Sequence, residues 1–191
     1  MTACFVHIPK TGGVSIQDAL ELQQHRYRRK LVKGTQYQGL VTFGHEILSK
    51  LVRKGYIAIE GWFLFAFVRN PYDRAVSLWA HQRREQVTEL GFYDWCKAFK
   101  TLGWLTYSPQ ARWLDGIEVN FLGRFENLHA DFARLCDALH VHRRALPHYN
   151  ASLHRDWRSY YDHETAAMVR RQYARDWERF GYDPNDYLPD G

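Results

Sequence analysis

The sequence predicts an α/β fold with a central, mainly parallel sheet flanked by helices. Three observations carry this. Short apolar runs alternate with helix-patterned segments along the whole chain. One of those runs, "FLFAFV" at 63–68, is apolar on both alternating faces, as a strand covered by helices on either side must be. Two of the strand ends lead into loops with glycine or an Asn-Pro pair that open helices. The length of 191 residues suits a single domain, 1–191, with a sizeable core.

The elements follow in order. "ACFVHI" (3–8) is a buried strand stopped by Pro9, and "SIQDALELQ" after the glycines is a helix with Ile16, Leu20 and Leu22 near one face and Ser15 at its start. "LVTF" (40–43) is a second strand ending at Gly44-His45, and "EILSKLVRKG" is a helix closed by Gly55. The strand 63–68 runs into Arg69-Asn70-Pro71. Asn70 caps the next helix and Pro71 takes its first position, with Tyr72, Ala75, Val76 and Trp79 as the apolar stripe. "FYDWCKAFK" (92–100) is helical, "VNFLGRF" (119–125) is a fourth strand, and "ENLHADFARLCDALHV" is a helix carrying Leu128, Phe132, Leu135 and Leu139. Arg143 to Tyr161 is irregular. The last helix, "ETAAMVRRQYARDWERFG", carries Val169, Tyr173, Trp177 and Phe180 and ends at Gly181. In such a sheet the ligand edge is the carboxyl end of the strands, which places Lys10, His45 and Arg69 along one edge.

Composition narrows the partners. The formal charge of +5 suits nucleotides or acidic glycans, or is simply a basic surface. Cys4, Cys96 and Cys136 lie far apart with no CxxC pair, so they read as reduced core thiols and not as a zinc site. No apolar run approaches the ~20 residues of a membrane span. The short stretch Ala3–Ile8 lacks the basic leader of a signal peptide. The expected location is cytoplasmic, the alternative an excised luminal domain.

"HIPKTGGVS" (7–15) holds the parts of an anion cradle. Gly12 and Gly13 let successive backbone N–H groups turn toward one point, and the following helix adds its positive end. Lys10 supplies a full charge, and Thr11 and Ser15 supply hydroxyls. It is not a Walker loop: the lysine precedes the glycines, and the apolar strand 63–68 ends in Arg69 instead of a metal-binding aspartate. "FAFVRNPYDRAVS" (65–77) makes a second anion site, with Arg69 at the strand end and Ser77 two turns into the helix. An ion-pair arginine and a bland helical serine are the alternative reading of that pair. Two such sites on adjacent βα units imply a ligand with two separated anionic groups.

The pair "HIPKTGGVS" and "FAFVRNPYDRAVS" resembles the two donor-binding motifs of sulfotransferases that use 3′-phosphoadenosine 5′-phosphosulfate (PAPS). It looks most like the Golgi carbohydrate sulfotransferases and their short bacterial relatives. "GRFENLHADFARLCDAL" and "LPHYNASLHRDWRSYYDHET…FGYD" extend the likeness over most of the chain. The resemblance implies a three-layer, P-loop-NTPase-like fold and sulfuryl transfer from PAPS, without a metal, to a hydroxyl acceptor. A carbohydrate hydroxyl is the favoured acceptor, a lipid or small alcohol the alternative. It implies that Lys10, Thr11, Gly12, Gly13 and Ser15 hold the 5′-phosphosulfate, with Val14 standing where relatives often carry threonine. It further implies that Arg69 and Ser77 hold the 3′-phosphate, and that Arg155 closes over the nucleotide.

Of the ten histidines, His45 is the candidate base, because Gly44-His45 follows a strand at the ligand edge and relatives carry a Gly-His pair there. Glu46 is the second candidate. Lys10 is expected to stabilise charge on the bridging oxygen as the nucleotide leaves. His7 reads as a packed residue orienting the loop, and His129, His140 and His142 as surface residues. Trp62, Trp104, Tyr107 and Trp113 are either sugar-stacking platforms or core. The rival functions are a nucleotide or small-molecule kinase, a nucleic-acid-binding protein using the basic run "HRYRRKLVK" (25–33), and a non-catalytic nucleotide binder. Loop order and the missing metal aspartate weigh against the first. No nucleic-acid partner is expected.

Overall fold

The computed structural model describes residues 1–24, 39–100, 105–147 and 155–188. Along the chain run β1 (Thr2–Val6), α1 (Gly13–Ala19), β2 (Gln23–Gln24), β3 (Leu40–Thr42), α2 (Leu48–Arg53) and β4 (Trp62–Val68). They are followed by α3 (Pro71–Arg84), α4 (Phe92–Lys97), α5 (Ala111–Leu114), β5 (Phe121–Arg124), α6 (Leu128–Leu139), α7 (His163–Gln172) and α8 (Ala174–Phe180), with short 3-10 turns between. Two compact units emerge: Met1–Val68 with Arg112–Tyr149, and Arg69–Ala111 with Asn150–Gly191.

The first unit holds the sheet. Its strand order is β2-β3-β1-β4-β5, and every pairing is parallel. Cys4 of β1 lies between Val41 of β3 and Leu64 of β4, so these three strands end on one edge. The chain passes from β1 to one side of it (the outermost β2 first, then β3) and then to the other (β4, β5). β1 therefore borders the point where strand order reverses, which is where open α/β sheets bind ligands. β4 is buried from Leu64 to Val68, as its unbroken apolar pattern predicts. One face of the sheet presents Ala3, Phe5, Phe65 and Phe67 to Ile16 and Ala19 of α1 and to Phe132, Leu135 and Cys136 of α6. Phe5 and Phe65 stack at 5.2 Å and 17°.

The second unit is helical. Tyr72, Ala75, Val76 and Trp79 of α3 join Trp95, Cys96, Val169, Tyr173 and Trp177 in an aromatic core. α3 starts as its sequence dictates: the Asn70 side chain accepts from the Tyr72 N–H at 2.9 Å, and Pro71 occupies the first position. Asn70 also donates to Asp186 at 2.6 Å.

Several boundaries differ from the sequence reading, each for a local reason. α1 begins at Gly13, not Ser15, because Gly12 at φ 81° supplies the left-handed turn before the helix. The predicted final helix is two, α7 and α8, joined at Tyr173. There the Arg170 carbonyl, which an unbroken helix offers to the Ala174 N–H, accepts the Trp177 indole at 3.2 Å. β2 and α5, of two and four residues, were not expected. All three cysteines are buried and free, as core thiols should be. Among the described residues no helix is long and apolar enough to cross a membrane.

Asn70→Ala is expected to lower the unfolding free energy by about 1–2 kcal/mol, read from the urea midpoint, since it removes the α3 cap and the bond to Asp186.

Candidate functional site

The loop between β1 and α1 is built on unusual backbone. Lys10 sits at φ 69° and Gly12 at φ 81°. The left-handed conformation costs a lysine about 1 kcal/mol, so its presence marks a loop held in shape by its surroundings. One such hold is the fully buried Thr11, whose hydroxyl donates to the Ile8 carbonyl at 2.9 Å. In this geometry the hydroxyl proton goes to the turn, where the Thr11 side chain serves as loop scaffold. Ser15 is buried in the first turn of α1, Val14 is exposed, and Lys10 is half-buried. The opening N–H groups of α1 have no acceptor within the helix.

Gly13 is glycine for a measurable reason. A Cβ there would lie 2.1 Å from Nε2 of His7. His7 follows β1, is buried, and stacks on Phe5 at 5.2 Å and 17°. Its other neighbour is His45, whose ring centre is 4.2 Å away. Burial, and then the His45 charge, push His7 down to about 3, so it is a neutral ring.

His45 is exposed at the end of β3, and its Nδ1 lies 2.8 Å from the His7 carbonyl. A carbonyl oxygen only accepts, so Nδ1 carries the hydrogen. In the neutral ring Nε2 then holds the lone pair, the state a proton acceptor needs. Glu46, the second candidate, is paired with Lys50 at 3.0 Å. β1 and β3 are adjacent and parallel, so Lys10, the glycines and His45 share one sheet edge.

In the second unit Arg69 is buried and grips Asp73 with Nε and Nη2, each at 2.7 Å. Gln110 clamps the Arg69 backbone from both sides, its Oε1 accepting from the N–H at 2.9 Å and its Nε2 donating to the carbonyl at 2.8 Å. Asp176, fully buried, accepts from the N–H groups of Gln110 and Ala111 at 2.8 Å each. Burial raises its pKa, while Arg74 and those hydrogen bonds pull it down. Ser77 lies one turn beyond Asp73 on α3 and is fully buried. Arg155 is exposed, with its guanidinium 5.7 Å from the Tyr160 ring centre.

Asp73, Gln110 and Asp176 were missed from the sequence. Asp73 stands four residues after Arg69, a helical ion-pair spacing that could have exposed it; Gln110 and Asp176 carry no local signal. Tyr107 and Trp113 are core residues, not exposed platforms, and Trp62 is half-buried. His129, His140 and His142 are exposed as expected. The basic run 25–33, Trp104, His148 and His154 lie outside the described residues. Among the described residues no group of three or more His, Cys, Asp or Glu is placed to hold a metal ion.

The model of the family described as "Sulfotransferase family" matches residues 3–183. In fold, the chain is similar to the crystal structure of a sulfotransferase from Alicyclobacillus acidocaldarius, at 17% identity and a TM-score of 0.58, over 97% of this chain and 98% of that one. No curated protein matches.

Two expectations test the loop. Gly13→Ala should cost roughly 1–3 kcal/mol of stability by overpacking against His7, while Val14→Ala, at an exposed position, should stay within about 0.5 kcal/mol. The second concerns acid. An unfolded histidine takes up its proton near 6.5, whereas His7 in the fold does so only at about 3. Between those values the unfolded chain binds more protons, so stability falls as pH is lowered, by up to about 1.4 kcal/mol per pH unit from this group. His7→Asn should show a shallower acid limb in urea unfolding between pH ~6 and ~4.

Proposed function

The chain belongs to the sulfotransferase family, and from that membership we propose that it transfers a sulfuryl group from PAPS to a hydroxyl acceptor, a carbohydrate being the favoured class. The observation that carries the proposal is the β1–α1 loop. A lysine and a glycine in left-handed backbone, a Gly13 packed against His7 and a helix start lie on the same sheet edge as a histidine whose Nδ1 is turned to the His7 carbonyl. The donor set is cationic and rich in N–H groups, which fits a phosphosulfate.

The donor supplies a sulfuryl group already activated as a mixed anhydride. Lys10 and the backbone N–H groups of Gly12, Gly13, Val14 and Ser15 hold its 5′-phosphosulfate end. Arg69 and Ser77 take the 3′-phosphate, and Arg155 contributes from the segment that closes over the nucleotide. Asp73 then serves to orient the Arg69 fork. His45 Nε2 accepts the proton of the acceptor hydroxyl as its oxygen bonds to sulfur. Lys10 meets the negative charge that gathers on the bridging oxygen as that S–O bond breaks and adenosine 3′,5′-bisphosphate leaves. Protein cations do this work in the proposed mechanism, so no added metal is needed.

Titration calorimetry of the wild type with adenosine 3′,5′-bisphosphate should show binding that does not depend on magnesium. Absence of binding together with tight Mg-ATP binding would favour a kinase instead. With labelled PAPS and a panel of carbohydrate and small alcohol acceptors, Lys10→Ala and His45→Ala should each reduce turnover by about 100-fold or more with unchanged thermal unfolding. Retained turnover in His45→Ala would move the base to Glu46 or elsewhere.

A further inference from the structure

Phe65, Phe5 and His7 form a column of stacked rings on one face of the sheet: Phe5 lies beside Phe65 across β1 and β4, and His7 follows two residues on toward the carboxyl edge. Successive centres are 5.2 Å apart and each interplanar angle is 17°. His45 caps that column at 4.2 Å and 55°. The His7 ring therefore touches three things at once: the sheet core below, Gly13 of the loop, and the imidazole of His45. Its backbone carbonyl accepts the Nδ1–H of the same histidine.

We propose that His7 is a positioning residue for His45, a ring wedged between the loop glycine and the base that keeps the base's Nδ1–H on the His7 carbonyl and its Nε2 turned outward. The inference rests on His45 acting as the base of sulfuryl transfer. The physical need is clear from exposure. An exposed histidine beyond a strand end can rotate about two side-chain torsions, and each hydrogen bond at the surface contributes only about 1 kcal/mol to holding it. A ring packed against one face removes most of the alternatives. The wedge is also chemically silent. Its neutrality, enforced by burial, means that His45 does not meet a second positive ring when it takes on a proton. Because the same ring fixes how close Gly13 can come, base and loop are positioned by one side chain.

The test is imidazole nitrogen NMR on the full chain, at a pH where both rings are neutral, with His45→Asn used to assign the His45 signals. The wild type should show His45 with its hydrogen on Nδ1. In His7→Ala, and in His7→Asn should the alanine variant not fold, His45 should pass to a majority of the Nε2–H form that an unconstrained imidazole prefers. An Nε2–H form in the wild type, or an unchanged Nδ1–H form in the folded variant, overturns the proposal. A role limited to packing would lower the unfolding midpoint and leave the tautomer where it was. Adenosine 3′,5′-bisphosphate titrated into the wild type separates the two levels. No binding removes the sulfuryl-transfer reading and this inference with it; binding with an unmoved tautomer removes this inference alone.

Discussion

The close approach of the His7 ring to the Cα of Gly13 is the contact on which the candidate site depends. A ring nitrogen occupies the place where any other residue would carry a Cβ. That single exclusion requires glycine at the loop's end, at the first position of α1, whose N-terminus carries no side-chain cap. The same ring is stacked on Phe5 and, through it, on Phe65 in the centre of the sheet. The loop is thus referenced to the buried centre of the sheet. Thr11 completes the arrangement by tying the turn to the Ile8 carbonyl.

A different strategy holds Arg69. No glycine is involved; the residue sits in a polar network inside an otherwise aromatic unit. Gln110 binds its backbone, Asp73 its side chain, and Asp176 binds Gln110 in turn. Buried charge of this kind is costly unless every member is paired, and breaking one partner typically costs about 3–5 kcal/mol. Such a network adds little stability over an apolar core, but it defines a direction for the guanidinium. The planar, bidentate contact that this guanidinium makes is the one to Asp73.

How much of this could be read from the sequence depended on range. β1, β4 and the stripes of α3 and α6 were legible because their patterns are local and their cap, Asn70-Pro71, is contiguous with them. The split at Tyr173 was hidden, since it turns on an indole reaching back seven residues to the Arg170 carbonyl. The same holds within the site. Lys10, Gly12 and Gly13 read as an anion loop by type and order, and His45 stood out by following a strand. The direction of the Thr11 hydroxyl, the burial of Ser77 and the 38-residue contact from His45 to the His7 carbonyl depend on the fold and left no trace in spacing. Gln110 and Asp176 were invisible for the same reason: the residues they serve are 41 and 66 positions away.

The central claim is that the loop from Lys10 to Ser15 receives the phosphate end of a nucleotide through its backbone. Amide NMR of the wild type during addition of adenosine 3′,5′-bisphosphate tests it most directly. A phosphate seated in the loop predicts saturable downfield shifts of the Gly12, Gly13 and Ser15 N–H signals, with those at the far end of α6, from Leu135 to Leu139, nearly unmoved. Saturable binding whose shifts bypass residues 10–15 would contradict it.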